Sequence, residues 1–403
     1  MLISSQVAAR WNIVAAPQAL KGSLDADAVG KAIAVGVYRV VPGAEVLVIP
    51  VADGGEGTVR ALVSATDGEL RYATVTGPLG EQVRAEYGIL GTNWLEVTGK
   101  TAVIEMAAAS GLPLVPPHLR DPRRTTTFGT GELIRTALDI GCEHILIGLG
   151  GSATNDGGAG MAQALGAHLL DGNGHELSRG GADLLRLDRI DTRDLDPRLD
   201  TVRISVASDV TNPLCGPSGA SAIYGPQKGA TPDIVDELDA ALAHYAEVLR
   251  RYLNADVANI PGAGAAGGLG AGLLAFTHAR MVPGAQFVLD SLNFTERIRG
   301  TSLVITAEGR LDAQTGYGKA VGAVAAAAHK VGARVIALAG SVAASDDDLL
   351  ALGIDVAVPL VDGPLSLDES MARAADLVQS AAARTMRLIL LGDALRLPEA
   401  HTL

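Results

Sequence analysis

What most constrains the fold is an alternation of short apolar runs with segments of helical period, present at both ends of the chain and interrupted in the middle. Residues 12–16 read as a buried strand and 27–40 as a helix with apolar positions near every 3.6 residues. Residues 45–51 read as the next strand, and a second helix starts near Thr58. Strand-helix-strand-helix order predicts a parallel sheet, because a parallel neighbour is reached only through a long crossover. The tail repeats the theme: strand 303–305, helix 319–330, strand 335–338, a helix ending at 349–352, strand 356–358 and a closing helix 367–390.

Between residues 69 and 106 the texture changes. Short alternating segments at 71–75, 82–87 and 101–105, separated by Gly-Pro, Leu-Gly and Gly-Lys turns, read as antiparallel hairpins. Strands at 144–147 and 202–206 and a long polar-faced helix over 232–253 follow. The expected class is α/β with two domains. Residues 1–70 and 285–403 form a doubly wound, three-layer parallel-sheet domain, and residues 71–284 an inserted mixed α/β domain.

Composition narrows the functions open to such a fold. Of 403 residues, 48% are apolar and 19% charged, so a large core can form. A net charge of −13 leaves no overall basic face for nucleic acid or an anionic membrane. Aromatics, at 3%, are too few for a base-stacking platform. Cys142 and Cys215 make no framework and suit a reducing compartment, with a bond between them left open. The first residues lack a basic segment followed by an apolar run, and the glycine-studded stretch 260–276 is a poor membrane span. The expected location is the cytoplasm.

Glycine is in excess, and nearly half of the 49 glycines fall in six polar loops: 17–24, 53–58, 148–160, 208–230, 261–272 and 306–320. Most follow a predicted strand, where open α/β sheets bind ligands and bared backbone N–H groups attract phosphate. A single such loop is more often only a tight turn. Standard nucleotide motifs fail: Gly99-Lys100-Thr101 ends like a P-loop, but Trp94 stands where the leading glycine belongs. Residues 148–153 do match the Rossmann pattern, so an NAD(P)-dependent hydroxy-acid dehydrogenase is a rival reading. The polar residues of the loops suit phosphoryl transfer, which needs cations around the moving group and carboxylates for a metal and for the attacking hydroxyl. Lys21, Lys228, Arg310 and Lys319 are the candidate cations; Asp53, Glu56, Asp156, Asp209, Glu308 and Asp312 are the candidate carboxylates. Each taken alone also reads as a helix cap or a surface ion pair. The eight histidines show no metal-ligand spacing.

Several of these segments resemble the class I glycerate kinase family. They include Val51-Ala52-Asp53-Gly54-Gly55-Glu56-Gly57-Thr58, Ile104-Glu105-Met106-Ala107-Ala108-Ala109-Ser110-Gly111-Leu112, Thr127-Phe128-Gly129-Thr130-Gly131-Glu132-Leu133 and Asp209-Val210-Thr211-Asn212-Pro213-Leu214. Residues 148–161, 225–230, 261–270 and 308–310 continue the match in order. The resemblance implies ATP- and Mg²⁺-dependent phosphorylation of D-glycerate, generally at the 2-position, in an interdomain cleft; whether as monomer or homodimer is open. Lys21, Asp53, Asp209, Glu308, Arg310, Asp312 and Lys319 are expected at the reacting groups, with Asp53, Asp209 and Glu308 on the metal. Gly150, Gly151, Ser152, Thr154, Asn155, Asp156 and Lys228 are expected at the nucleotide, its phosphates lying against the 148–160 loop and the helix N-terminus after it. Ser23, Glu56, Asn212 and Gln227 are expected at the substrate. The first loop departs from the family pattern, with Gln18 for Asp, Ala19 for Ser and Leu20 for an aromatic residue. Ala307, Ser208 and Ala320 also differ from the usual Gly, Cys and Pro. Glutamine is neither a general base nor a good Mg²⁺ ligand, so a catalytically silent binder is a third reading.

Overall fold

The computed structural model describes residues 11–91, 99–312 and 320–395. Its strands are β1 (Asn12–Ala15), β2 (Glu45–Val48), β3 (Glu69–Thr76), β4 (Gln82–Ile89), β5 (Thr101–Glu105), β6 (His144–Gly148), β7 (His168–Asp171), β8 (Leu187–Asp191), β9 (Arg203–Ala207), β10 (Arg280–Val282), β11 (Leu303–Leu311), β12 (Arg334–Val342) and β13 (Val356–Pro359). The chain divides into two compact units, Met1–Ala52 with Leu289–Leu403, and Asp53–Val288.

The first unit joins both chain ends in one all-parallel sheet of order β13-β12-β11-β1-β2. The alternate residues Ile13, Ala15, Leu303, Ile305, Ile336 and Leu338 share a core with Val29, Ile33 and Val37 of the helix Ala26–Tyr38 and Leu377, Val378 and Ala381 of the helix Ala374–Ala394. The helix Ala320–Lys330 packs against β11 and β12. Strand order reverses between β1 and β11, so their carboxyl ends mark the switch point where open α/β sheets bind ligands. The expected closing helix is two, Leu367–Ala372 and Ala374–Ala394; the first opens with a Ser366 capping box, and the pair breaks at Arg373.

The second unit carries a mixed sheet of order β10-β9-β6-β5-β4-β3. β5, β6, β9 and β10 run parallel, and β4 and β3 antiparallel beside β5. The helix Thr58–Ala65, expected with the first domain, packs instead on β4 and β5. The antiparallel β7 and β8 form a separate ribbon covered by the long helix Pro232–Leu253. That helix starts where Thr231 accepts from the Ile234 N–H with Pro at the first turn, and it ends at Asn254 in a left-handed conformation. No helix among the described residues is long and apolar enough to cross a membrane.

Candidate active site

In the second unit the glycine loops come together at the carboxyl ends of β6 and β9. Gly54 has a φ of +88°, and a Cβ there would stand 2.7 Å from the Ala207 carbonyl oxygen at the end of β9. A Cβ at Gly148, the last residue of β6, would stand 2.3 Å from the Gly54 carbonyl oxygen. Only glycine lets these backbones touch. The stack sets Asp53 beside Asp209. Asp53 accepts from the Gly55 N–H at 3.1 Å, a local turn. Both Asp209 oxygens accept backbone N–H groups at the start of the helix Gly284–Ser291, from Gly284 at 2.8 Å and Ala285 at 3.3 Å. Burial pushes the Asp209 carboxyl up to about 6; those two N–H groups oppose the shift, and the negative charge of Asp53 adds to it.

The first unit presents a second set at its switch point. Lys21 is exposed in the loop after β1, and Glu308, Arg310 and Asp312 stand at the end of β11. Arg310 Nε lies 3.4 Å from Asp312, in an exposed pair that leaves most of the guanidinium in solvent. Gln18 is buried, and its backbone N–H bonds the Ala307 carbonyl at 2.9 Å. The Ser23 hydroxyl, expected at the substrate, donates to the Met371 carbonyl at 2.9 Å. Lys319 lies outside the described residues.

Several side chains of the 148–160 loop expected at the nucleotide lie buried. Thr154, Asn155 and Asp156 are fully enclosed, and Lys228 is 2% exposed. Asp156 accepts from the Thr127 N–H (2.8 Å) and hydroxyl (2.9 Å) and from the N–H groups of Gly158 and Gly160 (both 3.2 Å). It therefore fills the N-terminus of the helix Ala159–Ala164, where phosphates were expected. Asn155 donates to the Ser221 hydroxyl at 3.0 Å. Lys228 donates to the Thr154 carbonyl at 2.6 Å; burial pulls its ammonium down to about 7, with Asp156 opposing. These side chains brace the loop from beneath. Of the expected nucleotide residues, Gly150 and Gly151 remain accessible, while Ser152 is 8% exposed in a bridge to Gly111. Asn212 is tied to the Ser218 carbonyl and the Tyr224 hydroxyl, whereas Glu56 and Gln227 are exposed. Lys100 bonds the Ile140 carbonyl at 2.8 Å, as in a turn rather than a P-loop.

Sequence reasoning missed Glu105 as a site residue. At the end of β5 it accepts from the Val59 N–H at 2.8 Å and from that of Gly57, so it caps the helix that follows the Asp53 loop. The signal available was a carboxylate closing an apolar strand. Burial pushes Glu105 up to about 7, those N–H groups opposing and Glu56 and Glu86 adding to it. Its folded pKa lies above the unfolded value, so its stabilising contribution is whole below about pH 4.5 and is lost as pH rises through 7. The stability of the wild type relative to Glu105→Gln should fall between pH 4.5 and 8 by at most about 3 kcal/mol. Urea melts at stepped pH measure it; a flat difference would show that Glu105 ionises as it does in water.

Neighbouring carboxylates and bared backbone at the carboxyl ends of parallel strands suit an α/β enzyme that handles phosphate and a metal. The Rossmann rival fails on geometry, because the helix after β6 begins only at Ala159. A family model described as the glycerate kinase family matches residues 13–390. A "Glycerate 2-kinase" of Escherichia coli K12 is 52% identical over 364 residues, covering 90% of this chain and 94% of that protein. A "Glycerate kinase" of Halalkalibacterium halodurans is 50% identical over 370 residues, covering 92% and 96%. A crystal structure from Salmonella typhimurium LT2, described under the name glycerate kinase 2, superposes with a TM-score of 0.82 at 47% identity, covering 95% of this chain and 99% of that one. The chain belongs to the glycerate kinase family.

Proposed function

We propose that this protein transfers the γ-phosphoryl group of ATP to D-glycerate, giving 2-phosphoglycerate, with Mg²⁺ as the metal. The observation that carries the reading is the neighbouring pair Asp53 and Asp209 at the glycine stack, both against Gly284. Two neighbouring hard-oxygen carboxylates fit Mg²⁺, which takes one or two protein carboxylates and completes its shell with water and phosphate oxygens. Asp53 and Asp209 hold the metal, with Glu308 the third candidate; when bound, it neutralises charge on the phosphates. Gly150 and Gly151 offer backbone N–H groups to the nucleotide. Arg310 or Lys21 pairs with the glycerate carboxylate, the guanidinium by a bidentate contact. Asp312 orients the attacking hydroxyl, and Lys319 stays assigned to the phosphoryl group.

A coupled ADP-release assay with a panel of small hydroxy acids tests the reading. ADP formation that needs both D-glycerate and Mg²⁺ is expected, and phosphorus NMR of the product should show the 2-phosphate. Ligand-induced thermal stabilisation with no ADP would support the silent binder that Gln18 suggests.

A further inference from the structure

A cavity of about 1020 Å³ in the second unit is lined by Leu79, Leu119, Arg120, Arg123, Arg124 and Arg179. It shares no residue with the site above. Of its arginines, Arg123 is neutralised: it bonds both Asp121 oxygens at 2.9 and 2.8 Å and lies 3.8 Å from Glu237. Asp183, also in the wall, lies 3.6 Å from Arg186. Arg120, Arg124 and Arg179 have no ion-pair partner among the described residues. Arg124 acts on the Asp121 carboxyl only as a distant charge, after Arg123.

The guanidiniums are also held in place. Arg120 is half-buried, with its Nε enclosed, so its side chain is seated in the wall rather than free in solvent. Arg179 lies over the Phe128 ring, 3.4 Å from its centre, which fixes the guanidinium plane without using its N–H groups. The backbone beneath is tied down as well: the Arg123 N–H bonds Asp121, the Thr126 N–H bonds the Pro78 carbonyl, and the Thr125 hydroxyl bonds the Ala153 carbonyl. The wall holds four arginines against the carboxylates Asp121, Asp183 and Glu237, so it is locally positive in a chain of net charge −13, and the guanidiniums of Arg120, Arg124 and Arg179 are left without a direct carboxylate contact on a fixed frame.

We propose that this cavity is a second anion site, separate from the reacting residues, that takes the phosphate group of a small phosphorylated molecule, with Leu79 and Leu119 against its apolar part. Three planar cations suit a dianionic phosphate better than a singly charged carboxylate. The proposal stands whether or not the kinase reading does.

Calorimetric titration of the full-length protein at low salt, with inorganic phosphate as probe, tests it. The wild type should show a binding event that weakens at least tenfold in Arg124→Gln and in Arg179→Gln. Both side chains are exposed, so unchanged thermal melts are expected and serve as the folding control. Turnover in the ADP assay should stay within twofold of wild type. Absent binding, or binding equal in both variants, overturns the site. A parallel fall in turnover overturns its separateness, and acetate bound as tightly as phosphate overturns the ligand class.

Discussion

Asp209→Asn lowers the rate of glycerate-dependent ADP formation by at least about a hundredfold and leaves the protein as stable as before, or slightly more so. The two effects have opposite signs for one physical reason. Burial, with Asp53 adding, makes the charged form of Asp209 unfavourable in the folded state. A neutral amide of the same shape removes that penalty, and its oxygen still accepts from Gly284, the shorter of the two backbone bonds. The weaker bond from Ala285 is lost, a small offset. Catalysis has no such compensation. An amide holds Mg²⁺ far less well than a carboxylate, and single electrostatic contributors to a reacting centre are typically worth 10²–10³ in rate. Asp53→Asn should lower the rate by a similar factor if, as proposed, both carboxylates hold the same metal. ADP release and a thermal melt on the same preparation decide it. Turnover within threefold of wild type would remove Asp209 from the reaction, and a melt lowered by many degrees would make it a structural cap only.

How much of this was legible in the sequence differs by level. The first unit reads almost directly, because runs such as residues 12–16 and 303–305 and the helices between them carry their period locally. β7, β8 and β10 escape, being short and held by what covers them rather than by any pattern of their own. The helix Thr58–Ala65 lies on the wrong side of the expected boundary because neither face of an eight-residue helix announces which sheet it covers. The glycine loops read as bared N–H groups that attract anions, but sequence does not reveal which anion arrives. At three helix starts it is the protein's own carboxylate: Glu105 at Val59, Asp156 at Gly158 and Gly160, and Asp209 at Gly284 and Ala285. Two of the three reach across 46 and 75 residues of chain, so they are facts of tertiary structure. The same holds for Lys228, whose position after a glycine-rich turn suits a phosphate contact until its burial is seen.

Asp156→Ala separates the two readings of the 148–160 loop. Were Asp156 at the nucleotide, its loss would alter turnover or KM for ATP and leave the melt unchanged. The geometry requires the reverse. Asp156 accepts the N–H groups of Thr127, Gly158 and Gly160 in that enclosed knot, and it also takes the Thr127 hydroxyl. An alanine orphans these donors in a space closed to water, and each unmet buried donor costs about 1–3 kcal/mol. Lys228 suffers too, because Asp156 is the charge that opposes the fall of its pKa. Part of the loss is returned, since burial raises the Asp156 pKa and that charge no longer has to be enclosed. A net loss of about 3–5 kcal/mol is expected, a drop in melting temperature of roughly 6–20 °C for a unit of this size. Asp156→Asn keeps the shape and one acceptor, which can serve the three donors at Oδ2, so it should fall between wild type and Ala. Urea melts give the order wild type, Asn, Ala. Specific activity per folded molecule should change far less than in Asp209→Asn, because Asp156 holds the loop while Asp209 is the residue proposed to hold the metal.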